Sequence, residues 1–450
     1  MRRILVLGAG RSAPFLIERL LKVASHNDWQ VTVADANLDI ARERVGDHPN
    51  GKAIALDAGD EQQLAGRIGA ADVVANVLAP RFQGAVARHC VEAGTHMVSV
   101  SYLQDATRGL DAWARERGVL LLTEMGLDPG IDHMMAARAV RRSIDNGGRI
   151  LAFRSFGSGV PAPESASNPL QYLVTWNPWN VATSGWAGAQ YLLNGTIRLV
   201  PHDRLFNHTW PVEVDGVGTL EAYPNRDSLS YLEHFELDEA HTMIRGTLRH
   251  PGFCETWAKI VRLGLTNDTL SIPGLCELSP RQVVGMFLPI PVAEEHVEEA
   301  ATLFLELNPT GNLMKNLRFL GLFDAEPVGC VGTTPAAMLS HLLETRLAPG
   351  PGSRDMVIIV HQMEVDYPGD DRPAERQTYT MVDFGDPLQM SAMAKTVGMP
   401  AAIAVEMLFS GELKLTGCRL PTHPAICESV LSHLQSEGLE FREKMEPLDG

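Results

Sequence analysis

The 450-residue sequence has no excess of positive charge: 38 lysines and arginines stand against 55 aspartates and glutamates, a net charge of −17. Nucleic-acid binding needs a basic face for the phosphates, so no nucleic-acid partner is expected. The same balance sets a condition: if the substrate is an acid, arginines must be gathered locally to hold it. Cysteine is scarce. Cys90, Cys254, Cys276, Cys330, Cys418 and Cys427 form no CxxC pair and no metal-ligand spacing, so no metal is expected. They read as scattered thiols of a reducing compartment. No apolar run approaches the ~20 residues of a membrane span. The N-terminus passes from two arginines into a strand without signal-peptide design. A cytoplasmic protein without a membrane partner is expected. Internal repeats and low-complexity tracts are also lacking.

Hydrophobic residues at 45% and charged residues at 21% are ordinary for a folded chain, and the length suits two or three domains. Apolar runs at 4–7, 31–34, 53–56, 72–77, 96–100 and 119–122 alternate with helical patterns, which predicts a parallel, doubly wound Rossmann sheet. The pattern changes after Gly130. Residues 152–185 are rich in Pro, Ser, Asn and Trp and read as long loops around short strands. Residues 253–323 read as mostly helical. Thr334-Pro335 opens a helix with Thr as N-cap. Strands at 356–361 and 379–384 are expected to pair in a second, mixed sheet. The expected division is a dinucleotide-binding domain of residues 1–130, completed by about 391–424, and a second α/β domain of 131–252 and 331–390. A helical subdomain of 253–330 is inserted in the latter.

Gly8-Ala9-Gly10-Arg11-Ser12-Ala13 fits G-x-G-x-x-A between a strand and a helix. Gly8 permits the tight turn, Gly10 lets a pyrophosphate approach, and Ala13 keeps helix and strand close. Asp35 ends the second strand, where an acid accepts hydrogen bonds from ribose hydroxyls and repels a 2′-phosphate. NAD is therefore favoured, and Arg11 keeps NADP open. Asp57 and Asn76 end later strands, as cofactor contacts or as ordinary loop caps. Ser101 and Tyr102 lie just beyond the fifth strand. The segment 124–133, Glu-Met-Gly-Leu-Asp-Pro-Gly-Ile-Asp-His, is dense in ionisable groups. In it Asp128 is a candidate for proton transfer, whereas His133 reads as part of a turn capped by Asp132. Arg226 and Arg249 are candidate carboxylate clamps, with surface ion pairs as the alternative.

These motifs, together with Pro161-Ala162-Pro163-Glu164, Arg245-Gly246-Thr247-Leu248-Arg249, Arg354-Asp355-Met356-Val357 and Ser391-Ala392-Met393-Ala394, occur in an order that resembles the L-glutamate-forming saccharopine dehydrogenase family over nearly the whole chain. The resemblance implies a Rossmann domain, and saccharopine held against a second α/β domain. It implies oxidation of a secondary amine to an imine, hydrolysed to glutamate and 2-aminoadipate 6-semialdehyde. It also suggests a homodimer. Ser101, Tyr102, Arg226, Thr247, Leu248 and Arg249 match the family's substrate contacts, and Asp128 matches a residue near the reacting centre. Asp128, Tyr102 or a water takes the amine proton. Three departures stand out: Asp35 where fungal members, which prefer NADP, have a basic residue close by; Gly157 in place of a fungal cysteine; and the tryptophans of 173–180. Trp176 and Trp179 leave open a carboxynorspermidine or carboxyspermidine dehydrogenase. A non-catalytic dinucleotide-binding protein is the other alternative.

Overall fold

The apolar runs of the first 122 residues become six strands: β1 (Arg2–Leu7), β2 (Trp29–Asp35), β3 (Gly51–Ala55), β4 (Val73–Asn76), β5 (His96–Ser99) and β6 (Leu120–Leu122). The computed structural model describes residues 1–329, 331–369 and 372–448. It divides into two units, Met1–Asn146 with Leu388–Phe441, and Gly147–Pro387 with Arg442–Gly450.

In the first unit every pairing is parallel, in the order 417–419, β6, β5, β4, β1, β2, β3. The seventh strand, Gly417–Arg419, has no apolar pattern and escaped the sequence reading. The winding reverses between β1 and β4, and a doubly wound sheet holds its ligand outside the carboxyl ends of the strands at that point. The helix Pro14–Ala24 buries Leu16, Ile17, Leu20, Leu21 and Ala24. Against it lies Ala392–Ser410, where a Cβ on Gly398 would stand 2.7 Å from the Leu16 nitrogen. The glycine thus permits close helix contact, and Arg19 grips Glu406 at 2.5 and 3.2 Å. This helix corrects one expectation. At 19 residues, with a stretch of mean hydropathy 1.3, it is long and apolar enough to cross a membrane, but 72% of that stretch is buried, as in a core helix.

The second unit contains β7 (Arg149–Pro161), β8 (Ala189–Leu193), β9 (Thr196–Val200), β10 (Trp210–Val214), β11 (Gly218–Pro224), β12 (Arg226–Asp227), β13 (Thr242–Arg249), β14 (Asp355–Asp366) and β15 (Glu375–Phe384). The main sheet runs β10, β11, β13, β7, β14, β15 and 441–447, with β8, β9 and β12 branching from it. It is mixed, since β13 and β7 are parallel whereas β14 is antiparallel to both β7 and β15. The expected loops from 152 are corrected here, because residues up to 161 form a 13-residue strand. Backbone bonds to β13 and β14 on both sides hold its Ser and Gly positions extended, and the loops begin only after Pro161. Helices at 253–262, 280–286, 297–304 and 312–319 meet the helical expectation. Thr334 caps the helix Pro335–Arg346 by accepting the Ala337 N–H, and β14 pairs with β15, both as read from sequence. Cys90, Cys254, Cys418 and Cys427 are free thiols, but Cys276 is disulfide-bonded, which corrects the all-thiol reading. Cys330 lies outside the described residues.

Candidate active site

The turn after β1 is shaped for close approach. Gly8 has φ +98°, and a Cβ there would meet the Val77 carbonyl oxygen at 3.1 Å, whereas a Cβ on Gly10 would meet nothing within 4 Å. The next helix begins at Pro14, its N-cap Ala13 offers no side-chain cap, and its first turn holds no acid. Its N–H groups and dipole therefore suit an anion. Arg11 is exposed and Ser12 half-buried beside this turn, while Ala13 is buried against the strand layer. Asp35 Oδ2 accepts the Ala9 N–H at 2.8 Å and Oδ1 accepts that of Asn37 at 2.9 Å. This holds the carboxylate at the turn, and each oxygen retains capacity for a ribose hydroxyl. The arrangement fits a dinucleotide. Asp57 and Asn76 cap their own loops, through Gly59 N–H at 2.8 Å and Leu78 N–H at 3.2 Å.

A second polar assembly grows from the segments after β5 and β6. The Tyr102 hydroxyl donates to Asp128 Oδ1 at 2.7 Å, joining two candidates 26 residues apart. Ser101, nearly buried, accepts the Glu124 N–H at 3.1 Å through its carbonyl. Glu124 is 4% exposed and has φ +63°. Its Oε1 accepts the Leu103 N–H at 2.9 Å, and its Oε2 lies 2.9 Å from Nδ1 of His133, itself 2% exposed. Asp132 accepts the Gly130 N–H at 2.8 Å, and its other oxygen lies 3.4 Å from His133 Nε2. The capped turn is present, but His133 is more than a turn residue, because the fold gives it a buried carboxylate partner. Sequence reasoning did not single out Glu124; the signal was an acid and a histidine bracketing a Pro-Gly turn. Ligand atoms of Asp128, Asp132 and His133 lie within 4.8 Å of one another. Asp132 and His133 are engaged by Gly130 and Glu124, and no ion is assigned there.

In the second unit Arg249 is 3% exposed. Its Nη1 donates to Ser158 Oγ at 2.6 Å and to the Leu248 carbonyl at 2.8 Å, and Nη2 to the Tyr223 hydroxyl at 3.4 Å. The guanidinium stands 4.9, 5.1 and 5.7 Å from the ring centroids of Tyr172, Phe253 and Tyr223. Among the described residues it has no ion pair, and its Nε has no hydrogen-bond partner. Burial works against the charge, yet Tyr223, Tyr172, Cys254 and Glu221 outweigh it and raise the pKa above its ordinary value. Leu248 points its fully buried side chain into the core, and Thr247 lies opposite Tyr223 on β11. Arg226 is exposed at φ +52° on β12 and likewise lacks an ion pair among the described residues. Trp176 donates Nε1–H to the Tyr172 hydroxyl at 3.2 Å and packs on the core, whereas Trp179 is 38% exposed. A Cβ on Gly157 would meet the Ile358 carbonyl at 3.5 Å, an ordinary contact, so a side chain fits where this chain has none.

Comparison with known proteins gives two family matches, the saccharopine dehydrogenase NADP binding domain over residues 4–122 and the saccharopine dehydrogenase C-terminal domain over 126–439. An alpha-aminoadipic semialdehyde synthase of Arabidopsis thaliana is 32% identical over 98% of the chain, which spans only 45% of that relative. The L-glutamate-forming, NADP(+) saccharopine dehydrogenase of Saccharomyces cerevisiae is 31% identical, with 98% of this chain and 99% of the relative covered. The apo structure of the L-Glu-forming saccharopine dehydrogenase from that yeast superposes with a TM-score of 0.86 over 99% of this chain and all of the other, at 29% identity.

Proposed function

The chain belongs to the saccharopine dehydrogenase family, and we propose that it oxidises saccharopine to L-glutamate and 2-aminoadipate 6-semialdehyde, reversibly, with NAD(P). The observation that carries the substrate class is Arg249. A buried cation with no ion pair among the described residues, in a chain of net charge −17, is matched by an amine flanked by carboxylates. Ser158, Tyr223 and the aromatic rings hold the guanidinium plane, and its buried Nε keeps an unused donor. Arg226 supplies a second, exposed cation for another carboxylate of the substrate.

When bound, the dinucleotide accepts the hydride from the carbon bearing the nitrogen. That carbon gives up hydride only from the free amine, so the ammonium must first lose a proton. Asp128 is the exposed carboxylate that takes it, and the Tyr102 hydroxyl on Oδ1 holds its other oxygen in one orientation. The imine then adds one water and splits, and no metal is needed. Ser101 lies beside this pair and faces the same substrate. The uncapped helix at Pro14 receives the pyrophosphate, and Asp35 receives the ribose hydroxyls, which favours NAD over NADP. The polyamine alternative asks Trp176 and Trp179 to bind a cation, but the Trp176 ring packs against the core. We place the enzyme in the cytoplasm as a homodimer, with no nucleic-acid or membrane partner. The net charge, the buried 392–410 helix, and Ile197 and Leu199 exposed on the edge strand β9 support this.

The test is the absorbance of reduced cofactor, with saccharopine and carboxynorspermidine each offered with NAD and NADP. Turnover of saccharopine is expected, and turnover of carboxynorspermidine alone overturns the reading. In the same assay Arg249→Met should raise the KM for saccharopine by about a hundredfold or more through an unpaired carboxylate, and leave that for the dinucleotide unchanged.

A further inference from the structure

Glu124 takes no part in the chemistry above, yet it holds both neighbours of Tyr102. Its N–H donates to the carbonyl of Ser101 and its Oε1 accepts the N–H of Leu103. A glutamate at φ +63° occupies a sparsely populated backbone region, and a carboxylate that is 4% exposed must be compensated by hydrogen bonds. The Leu103 N–H and His133 provide them. His133 also approaches Asp132, which accepts the Gly130 N–H. Asp128 sits between Glu124 and Gly130. The hydrogen bonds from Leu103 to Glu124 and between Glu124 and His133 therefore tie the segment bearing Tyr102 to both flanks of the turn bearing Asp128, with Asp132 holding the Gly130 N–H inside that turn. The Tyr102 ring lies 6.2 Å from that of His133, against the same buried pair.

We infer that Glu124, backed by His133, is a positioning residue that seats the Tyr102 hydroxyl on Asp128 for the amine oxidation. This inference rests on the function proposed above. Glu124 touches neither substrate nor cofactor; it acts through the two residues that do. A displacement of about 1 Å in such a pair is enough to cost on the order of a hundredfold in rate.

The test is a double-mutant cycle read as kcat with saccharopine. Glu124→Gln is expected to lower kcat about tenfold to a hundredfold, and by less than about threefold in a Tyr102→Phe background, with the dinucleotide Kd unchanged in both. Losses that multiply across the two backgrounds overturn the inference, because a role confined to folding does not depend on the phenol. If Glu124→Gln does not fold, His133 is the second handle. His133→Asn keeps an N–H donor near the place of Nδ1 and is expected to retain most of kcat, whereas His133→Leu is not, and equal losses from the two overturn the inference. Absence of saccharopine turnover in the unaltered enzyme counts against the reaction instead. The inference is then decided by a crystal structure of Glu124→Gln. A Tyr102–Asp128 contact opened beyond hydrogen-bond range supports it, and one kept at 2.7 Å refutes it.

Discussion

Asp35 does two jobs with one carboxylate. It accepts the N–H of Ala9 in the glycine turn and of Asn37 at the start of the next helix, and in the proposed function its charge meets the adenosine ribose. The relative from yeast is named for NADP(+), whose extra phosphate such a charge repels. Replacement by alanine would mix the loss of charge with the loss of the turn's hydrogen bonds. Asp35→Asn removes the charge and keeps one oxygen acceptor for the N–H groups of Ala9 and Asn37, so it disturbs the turn less than alanine does. The expected outcome is a rise of about tenfold or more in the ratio of kcat/KM with NADP to that with NAD, since a unit charge a few ångströms from a phosphate is worth at least ~1 kcal/mol. An unchanged ratio would clear Asp35 of any role in selection. At this scale the sequence exposed residue types but not their partners. Tyr102 and Asp128 were each visible as candidates, but their contact spans 26 positions. Arg249 was visible as a cation near a strand, and only the fold shows that it is buried with no ion pair among the described residues. Glu124 and His133 were hidden for the opposite reason: their contact is closed by a turn whose own residues explain the sequence there.

Among the elements, β1 to β6 were legible because strands covered on both faces need unbroken apolar runs. The strand β7 was not. Its Arg-Ser-Phe-Gly-Ser-Gly stretch resembles a loop, and it is held extended by backbone bonds to β13 and β14, which no local pattern announces. Gly417–Arg419 is too short to carry a pattern and is defined by its pairing with β6. The pairing of β5 with β6 carries a pH signature. His96, at the start of β5, accepts the Leu120 N–H on Nδ1 at 3.0 Å, and burial holds its pKa below the ordinary value. The unfolded chain therefore takes up this proton first. The stability is fully present above the unfolded value of about 6.5 and is lost as pH falls from there toward the folded pKa. His96→Asn supplies an amide oxygen as acceptor and does not titrate. Urea midpoints of the two proteins, measured from pH 8 to pH 5, should shift relative to each other against the unaltered protein as pH falls. A constant difference would show that His96 does not titrate with folding.

The net charge of −17 acts on every ligand of the proposed reaction, because saccharopine and the dinucleotide are both anionic. Composition revealed that charge but not how the chain answers it. In the proposed function the answer lies in two short-range groups, the buried guanidinium of Arg249 and the dipole of the helix at Pro14. The two effects respond differently to salt. Repulsion from the distributed charge reaches about 30 Å at 10 mM ionic strength and about 8 Å at 150 mM, whereas a buried contact is screened little. Raising the salt should therefore remove the repulsion and spare the clamp. The expected outcome is a rise in kcat/KM for saccharopine of about twofold or more between about 10 and 150 mM, carried by KM with kcat unchanged. The rise should be larger with NADP than with NAD, since its additional phosphate meets the same field. A fall in kcat/KM over this range would show that the field near the site is positive and that exposed cations such as Arg226, rather than buried Arg249, gather the substrate.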